Sequence, residues 1–184
     1  MKKLRKGFTL VELLVVISVL GALAAMMSIS GSEAMTTAKV ANIISNLRNF
    51  SAATHEYYVD NLDQWYGKTT KPDITEIRKY MNKGISDNTD APHEAVLTNY
   101  VIATEDASSS SYAEVDWYIG YTLPTAVSAG ELAALKAKLK GRANAVGLYG
   151  GTATDGVIAS PAIYTGGNDT VIWMKAHEKS QRSS

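Results

Sequence analysis

A run of 22 residues, 8–29, carries a single charged side chain, Glu12. A helix of about 20 apolar residues crosses the hydrocarbon core of a bilayer. Immediately before the run stand Lys2, Lys3, Arg5 and Lys6, with no acid among them. Flanking cations of this kind stay on the cytoplasmic side, which places the rest of the 184-residue chain across the inner membrane. The remainder has the composition of a medium-sized globular domain. The chain has 18 basic and 18 acidic side chains, and this balance argues against a strongly basic nucleic-acid binder. The absence of cysteine excludes disulfides and thiol catalysis.

Three readings compete for the apolar run. A secretory signal has a shorter apolar stretch followed by a small-residue cleavage site, which Ala22-Leu23-Ala24-Ala25 imitates. A plain signal anchor accounts for the length and the flanking charges. Neither accounts for a carboxylate at the fifth position of the run, where insertion scales put the cost at about 2.5–3.5 kcal/mol. Such a group is a functional candidate by default, and the bland alternative is that Glu12 snorkels to the membrane interface.

The octet Lys6-Gly7-Phe8-Thr9-Leu10-Val11-Glu12-Leu13 resembles the processing motif of type IV pilins and their pseudopilin relatives. Basic leader, Gly, Phe, Thr, Glu and apolar run all occur in register, and the short leader with Phe8 looks like the type IVa branch. The close match covers about residues 1–35, and beyond it the likeness is one of layout. The resemblance implies that a prepilin peptidase cuts between Gly7 and Phe8 and that Phe8 becomes N-methylphenylalanine. It also implies a pilin-like α+β fold: a long N-terminal helix packed on a mostly antiparallel sheet. Removing the leader takes away four positive charges and creates a new amine at Phe8. A carboxylate in an apolar core needs a cation. The amine of Phe8, from the same subunit or a neighbour in a filament, is the donor expected for Glu12.

Residues 8–58 contain no proline, so a continuous helix of 51 residues is expected, about 77 Å long at ~1.5 Å per residue. Val40, Ile43, Ile44, Leu47, Ser51, Thr54 and Tyr58 recur at helical spacing and form the head-facing stripe. The proline that many relatives carry about three turns after the acid is absent. Gly21 and Gly31 bracket a serine-containing stretch that is the candidate for unwinding on assembly; a straight helix with small packing residues is the alternative.

The head reads as a short helix at 72–81 closed by Gly84, strands at 95–104 and 112–122 around a serine-rich loop, and a helix from Ser128 to Gly141. Ser128 and Glu131 form an expected capping box. Short strands follow at 145–149, 157–158 and 162–164, then a last one at 170–175. The expected organisation is a cleaved leader at 1–7, a membrane or filament-core half-helix at 8–29 and an amphipathic half at 30–58. A loop with the short helix fills 59–94, the β-rich head with its inserted helix 129–140 fills 95–176, and 177–184 is a mobile tail.

Nothing in the head reads as a catalytic or cofactor site, and no metal is expected. His55, His93 and His177 are dispersed without metal spacing. Asp87, Asp90 and Glu94 are the nearest approach to a calcium set, but they lack the EF-hand pattern. Tyr57, Tyr58, Trp65 and Tyr66 read as packing residues. Asp155 and Asp169 lie in glycine-rich turns. Asn168-Asp169-Thr170 is a formal sequon, and the serines at 108–111 are a candidate for O-glycans or simply a solvated loop.

The resemblance therefore implies a structural protein, not an enzyme: a subunit of an extracellular type IV pilus, held in the inner membrane before assembly. Its partners would be copies of itself, the prepilin peptidase and the pilus assembly platform, with no direct nucleic-acid binding. A pseudopilin of a type II secretion or competence system is the alternative. A single-span anchored enzyme or binding protein is the third, and it would require a convergent polar site in the head.

Overall fold

The computed structural model describes residues 8–62, 72–81, 85–87, 89–105 and 115–179, with the side chains of 27–30 excepted. Helix α1 runs Leu10–Asp60, and its 51 residues form one unbroken element about 77 Å long at ~1.5 Å per residue. Thr9 caps it at one end and Asn61 at the other. Gly21 and Gly31 sit within the helix with open space around them.

The short helix α2, Ile74–Arg78, is narrower than the expected 72–81. Asp73 starts it by accepting from the Thr75 N–H at 2.9 Å, and Ile77 anchors it in the core. Gly84 lies outside the described residues, as do Trp65, Tyr66 and the serines at 108–111. The strand expected at 95–104 begins only at Tyr100. Two 3-10 turns, His93–Ala95 and Leu97–Asn99, occupy the ground before it. Side chains take the carbonyls that a sheet partner would take. Glu94 O accepts from Asn46 Nδ2 at 2.7 Å and from the Tyr100 hydroxyl at 2.5 Å, and His93 O accepts from Asn99 Nδ2 at 2.8 Å.

Strands β1 (Tyr100–Thr104), β2 (Trp117–Thr122), β3 (Leu148–Gly150), β4 (Ala153–Thr154), β5 (Val157–Ile158), β6 (Ala162–Ile163) and β7 (Val171–His177) form one sheet. Helix α3, Ala129–Val146, is inserted between β2 and β3. The sheet order is β4-β5-β1-β2-β7-β3-β6, antiparallel except for β1 with β5. Strands β3 and β4 are separated by only Gly151 and Thr152, yet five strand spacings lie between them in this order. In a flat sheet that is about 24 Å, while the connection spans at most about 11 Å. The sheet therefore curls until its ends approach one another, which makes this an α+β fold built on a curled, mostly antiparallel sheet.

Both faces of the curl are core. Ile119, Tyr121, Ile172 and Met174 face α1 and α3, where they meet Val40, Ile43, Leu47, Phe50, Leu135 and Leu139. Tyr118 and Trp173 alternate onto the other face, where Ile158 and Ala103 cover them. The partial alternation of β2 in the sequence has this cause: five of its six residues are buried.

Helix α3 overruns its expected end at Gly141 by more than a turn. Leu135, Leu139 and Ala143 continue one buried stripe, and that packing offsets the ~1 kcal/mol cost of an interior glycine. The true stop is Gly147, at φ 70° in the left-handed region. Ala145 and Val146 are therefore helical, and the strand expected at 145–149 starts at Leu148. The capping box is half made. The Ser128 hydroxyl accepts from the Glu131 N–H at 3.2 Å, but the Glu131 carboxylate turns to Lys39 at 2.6 Å.

Residues 177–179 are not a loose tail. His177 ends β7, and the Lys179 N–H donates to Asp116 Oδ1 at 2.7 Å. The other Asp116 oxygen accepts from Lys175 Nζ at 2.7 Å. In a chain without cysteine, this buried carboxylate fastens the end of the last strand.

Candidate functional site

The helix α1 is a bare surface through its first half and a buried one through its second. Leu10, Val11, Leu13, Leu14, Val15, Val16, Ile17, Val19, Leu20, Leu23 and Met26 are all exposed. Among the described residues this is the one helix long and apolar enough to cross a membrane, by length and composition. Its backbone groups are satisfied along the helix, as a lipid-exposed segment requires. The polar Ser18 returns its hydroxyl to Leu14 O at 2.8 Å.

At the head of this surface lies the acid singled out in the sequence. The Glu12 carboxylate accepts from the Thr9 N–H at 2.9 Å and from the Thr9 hydroxyl at 2.8 Å, and the Thr9 oxygen accepts from the Glu12 N–H at 3.3 Å. This is a complete capping box. Its signature, Thr followed three residues later by Glu before an apolar run, stands openly in the sequence, and reading Glu12 only as half of an ion pair overlooks it. Both contacts fall on Oε2, so Oε1 has no hydrogen-bond partner among the described residues. One oxygen organises the helix start, and the other is open to a cation. Phe8, 84% exposed, lies one residue before the cap, while Gly7 lies outside the described residues.

Elsewhere the structure rearranges the candidates. Asp87 pairs with Arg78 at 3.1 Å and Glu94 is buried, so two of the three acids that came nearest to a calcium pattern are engaged elsewhere. Among the described residues there is no group of three metal-type side chains. The histidines are less dispersed than the sequence suggests. His55 and His177 approach within 6.4 Å between ring centroids, and His177 stacks on Tyr58 at 3.8 Å. His93 Nδ1 lies 2.7 Å from the Tyr121 hydroxyl. Burial lowers the pKa of His93, Glu94 opposes that shift and Lys39 adds to it. Burial pushes the Tyr121 hydroxyl far up, so it stays protonated. These two residues, with Ile43, Pro124 and Leu135, line a cavity of about 150 Å³ between α1, α3 and the sheet. Of the sequence's aromatic group, Tyr57 meets Tyr80 at 5.7 Å and Tyr58 meets Trp117 at 5.4 Å, both as packing contacts. Asp169 sits over Gly150, where a Cβ would lie 2.5 Å from its Oδ2, and accepts from the Gly151 N–H at 3.2 Å.

The architecture is a long helix with a bare apolar first half, an α+β head on its second half and one open carboxylate at its start. The family model for the prokaryotic N-terminal methylation motif matches residues 2–28. The fimbrial protein of Neisseria meningitidis serogroup B (strain ATCC BAA-335 / MC58) is 29% identical over 115 residues, covering 62% of this chain and 63% of that protein. The chain thus spans just under two thirds of that relative's length. No solved structure matches. Motif and relative make the chain similar to type IV pilins at its N-terminus and over part of its length, and the long helix with an α+β head is a pilin-like architecture.

Proposed function

We propose that this chain is a structural subunit of an extracellular type IV pilus, not an enzyme. It is held in the inner membrane through α1 and polymerises with copies of itself. A prepilin peptidase cuts between Gly7 and Phe8 and methylates the new amine, and an assembly platform inserts the subunit into the filament. The observation that carries this reading is the bare half of α1 with its singly engaged carboxylate. An apolar helix exposed on every face needs lipid or other helices around it. The open Glu12 Oε1 needs a cation in that setting, and the processed Phe8 amine, of the same or a neighbouring subunit, supplies one.

Two variants test the reading. Glu12→Val removes the acceptor without touching the cut. It should be processed, should accumulate in the membrane and should give few or no filaments in sheared material viewed by electron microscopy. Wild-type filament yield would remove the pairing from the account. Gly7→Val puts a branched side chain where a protease must approach the backbone closely. The intact mass of the membrane-extracted chain should then retain the seven leader residues. Processed wild-type chain that stays with the membrane on shearing would instead support the pseudopilin of a secretion or competence system.

A further inference from the structure

The far end of α1, the start of β2 and the end of β7 meet at one imidazole. The ring of His177 lies 3.8 Å from that of Tyr58, nearly parallel at 24°, and 5.6 Å from that of Trp117, inclined at 65°. Tyr58 and Trp117 are themselves in edge contact at 5.4 Å. The Nε2 atom of His177 is buried and has no hydrogen-bond partner among the described residues. On the solvent side a shallow cleft of about 490 Å³ opens past Arg48, His55 and Glu178. The imidazole thus closes the stack that holds the last strand against the long helix, with one of its nitrogens buried and without an acceptor among the described residues.

We propose that His177 is an acid-sensitive latch: neutral, it fixes the C-terminal end of β7 on the far end of α1, and protonated, it releases that end. Protonation puts an N–H on every ring nitrogen, so the buried Nε2 becomes a donor without an acceptor and a charge is placed inside an aromatic stack. The ionisable groups around it divide. From α1, His55 at 6.4 Å and the cleft-lining Arg48 oppose a second positive charge. On the segment leading into β2, Asp116 favours it, but both of its oxygens are committed to Lys175 and the Lys179 N–H. On the strand's own continuation Glu178 favours it from an exposed position, and Lys175 and Lys179 flank it with like charge. Burial first, and His55 second, hold the His177 pKa below the ordinary histidine value, with Asp116 and Glu178 opposing. A lowered folded-state pKa gives stability that is present above the ordinary value and is lost as pH falls through it towards the folded one. The window therefore opens below about pH 6.5. Asp116 is held below the usual carboxylate range. Burial raises its pKa, but the hydrogen bonds from Lys175 and Lys179 outweigh that. It stays ionised across the same window, so the neighbouring clasp does not titrate with the latch.

The test is amide hydrogen exchange on the full chain in detergent micelles at pH 7 and pH 5, corrected for intrinsic pH dependence. A parallel NMR titration follows the His177 ring. The expected result is a loss of protection at Ala176 and His177 on going to pH 5, while β1 and β2 keep theirs and the Lys179 amide stays held by Asp116. His177→Phe keeps a ring in the stack and should abolish the acid response. His55→Gln, an exposed change, should raise the His177 midpoint and shrink the response. It stands in as the deciding variant if His177→Phe fails to fold. An unchanged acid response in His177→Phe would overturn the latch. So would a wild-type chain that shows no pH dependence at the Ala176 and His177 amides, or a His55→Gln chain whose His177 midpoint does not rise.

Discussion

The two halves of α1 share one backbone and face opposite solvents. In the upper half Val40, Ile43, Leu47 and Phe50 are at most 1% exposed, and of the polar positions between them Asn42, Ser45, Arg48 and Asn49 face out while Asn46 turns in to Glu94 O. In the lower half every large apolar side chain among the described residues is exposed, on all faces. A helix apolar on one stripe has a partner within its own chain, and one apolar all round has its partner elsewhere. The border coincides with the arrival of α3, where Lys138 pairs with Glu33 at 3.3 Å and Lys39 with Glu131 at 2.6 Å. Continuous secondary structure therefore says nothing about a continuous environment; the width of the apolar stripe does.

The largest expected effect separates the halves directly. Phe50 is fully buried and packs on Tyr100 at 4.8 Å, whereas Leu14 is 55% exposed. Phe50→Ala should cost the head about 3–5 kcal/mol through lost burial and a residual cavity. Leu14→Ala should leave head stability within about 0.5 kcal/mol, as a change at an exposed position does. Thermal melts in micelles, followed by tryptophan fluorescence, measure both. Similar losses from the two variants would mean that the lower half packs on the head.

A smaller effect sharpens the same contrast from the far side of the sheet. Gly120 has no room for a side chain: a Cβ there would lie 2.6 Å from the Trp173 ring and 2.7 Å from Val171 Cγ1. Gly120→Ala should cost about 1–3 kcal/mol by overpacking and should alter the near-ultraviolet circular dichroism of Trp173. A neutral result, read from the urea midpoint, would show that the outer face yields as a solvent-facing surface does.

Legibility in the sequence follows the same division. The long helix, its stripe and its apolar run are local patterns of period 3.6 or of plain composition, and they read directly. Gly141 misled because the packing of Ala143, a tertiary fact, outweighs a local helix breaker. The strand expected at 95–99 became turns because Asn46, 48 residues before Glu94, supplies a donor that no local pattern encodes. His177 passed for part of a tail because its partners, Tyr58 and Trp117, come from elsewhere in the chain. Glu12 was visible as an anomaly of charge, yet the Thr9 cap that holds one of its oxygens was a local signal and equally readable.

The smallest expected effect sets two threonines against each other, one in each half. Thr9 gives the start of α1 its cap, and its hydroxyl both accepts from the Glu12 N–H and donates to the carboxylate. Thr54 is fully buried in the upper half, and its hydroxyl donates to Phe50 O at 2.7 Å, a carbonyl already engaged in the helix ladder. Thr9→Val leaves a backbone donor unsatisfied at a helix end and should cost about 1 kcal/mol, felt locally. Thr54→Val removes a bond that only duplicates an existing one and keeps the side chain's shape, so its cost should stay within about 0.5 kcal/mol. Amide exchange at residues 10–13 should quicken about fivefold in Thr9→Val, the equivalent of that cap at room temperature, with the melting of the head unchanged. Thr54→Val should change neither reading. If Thr9→Val left exchange at residues 10–13 untouched, surrounding lipid or detergent rather than the Thr9 hydroxyl would be setting the start of the helix, and the backbone N–H of residue 9 would remain the Glu12 carboxylate's contact there.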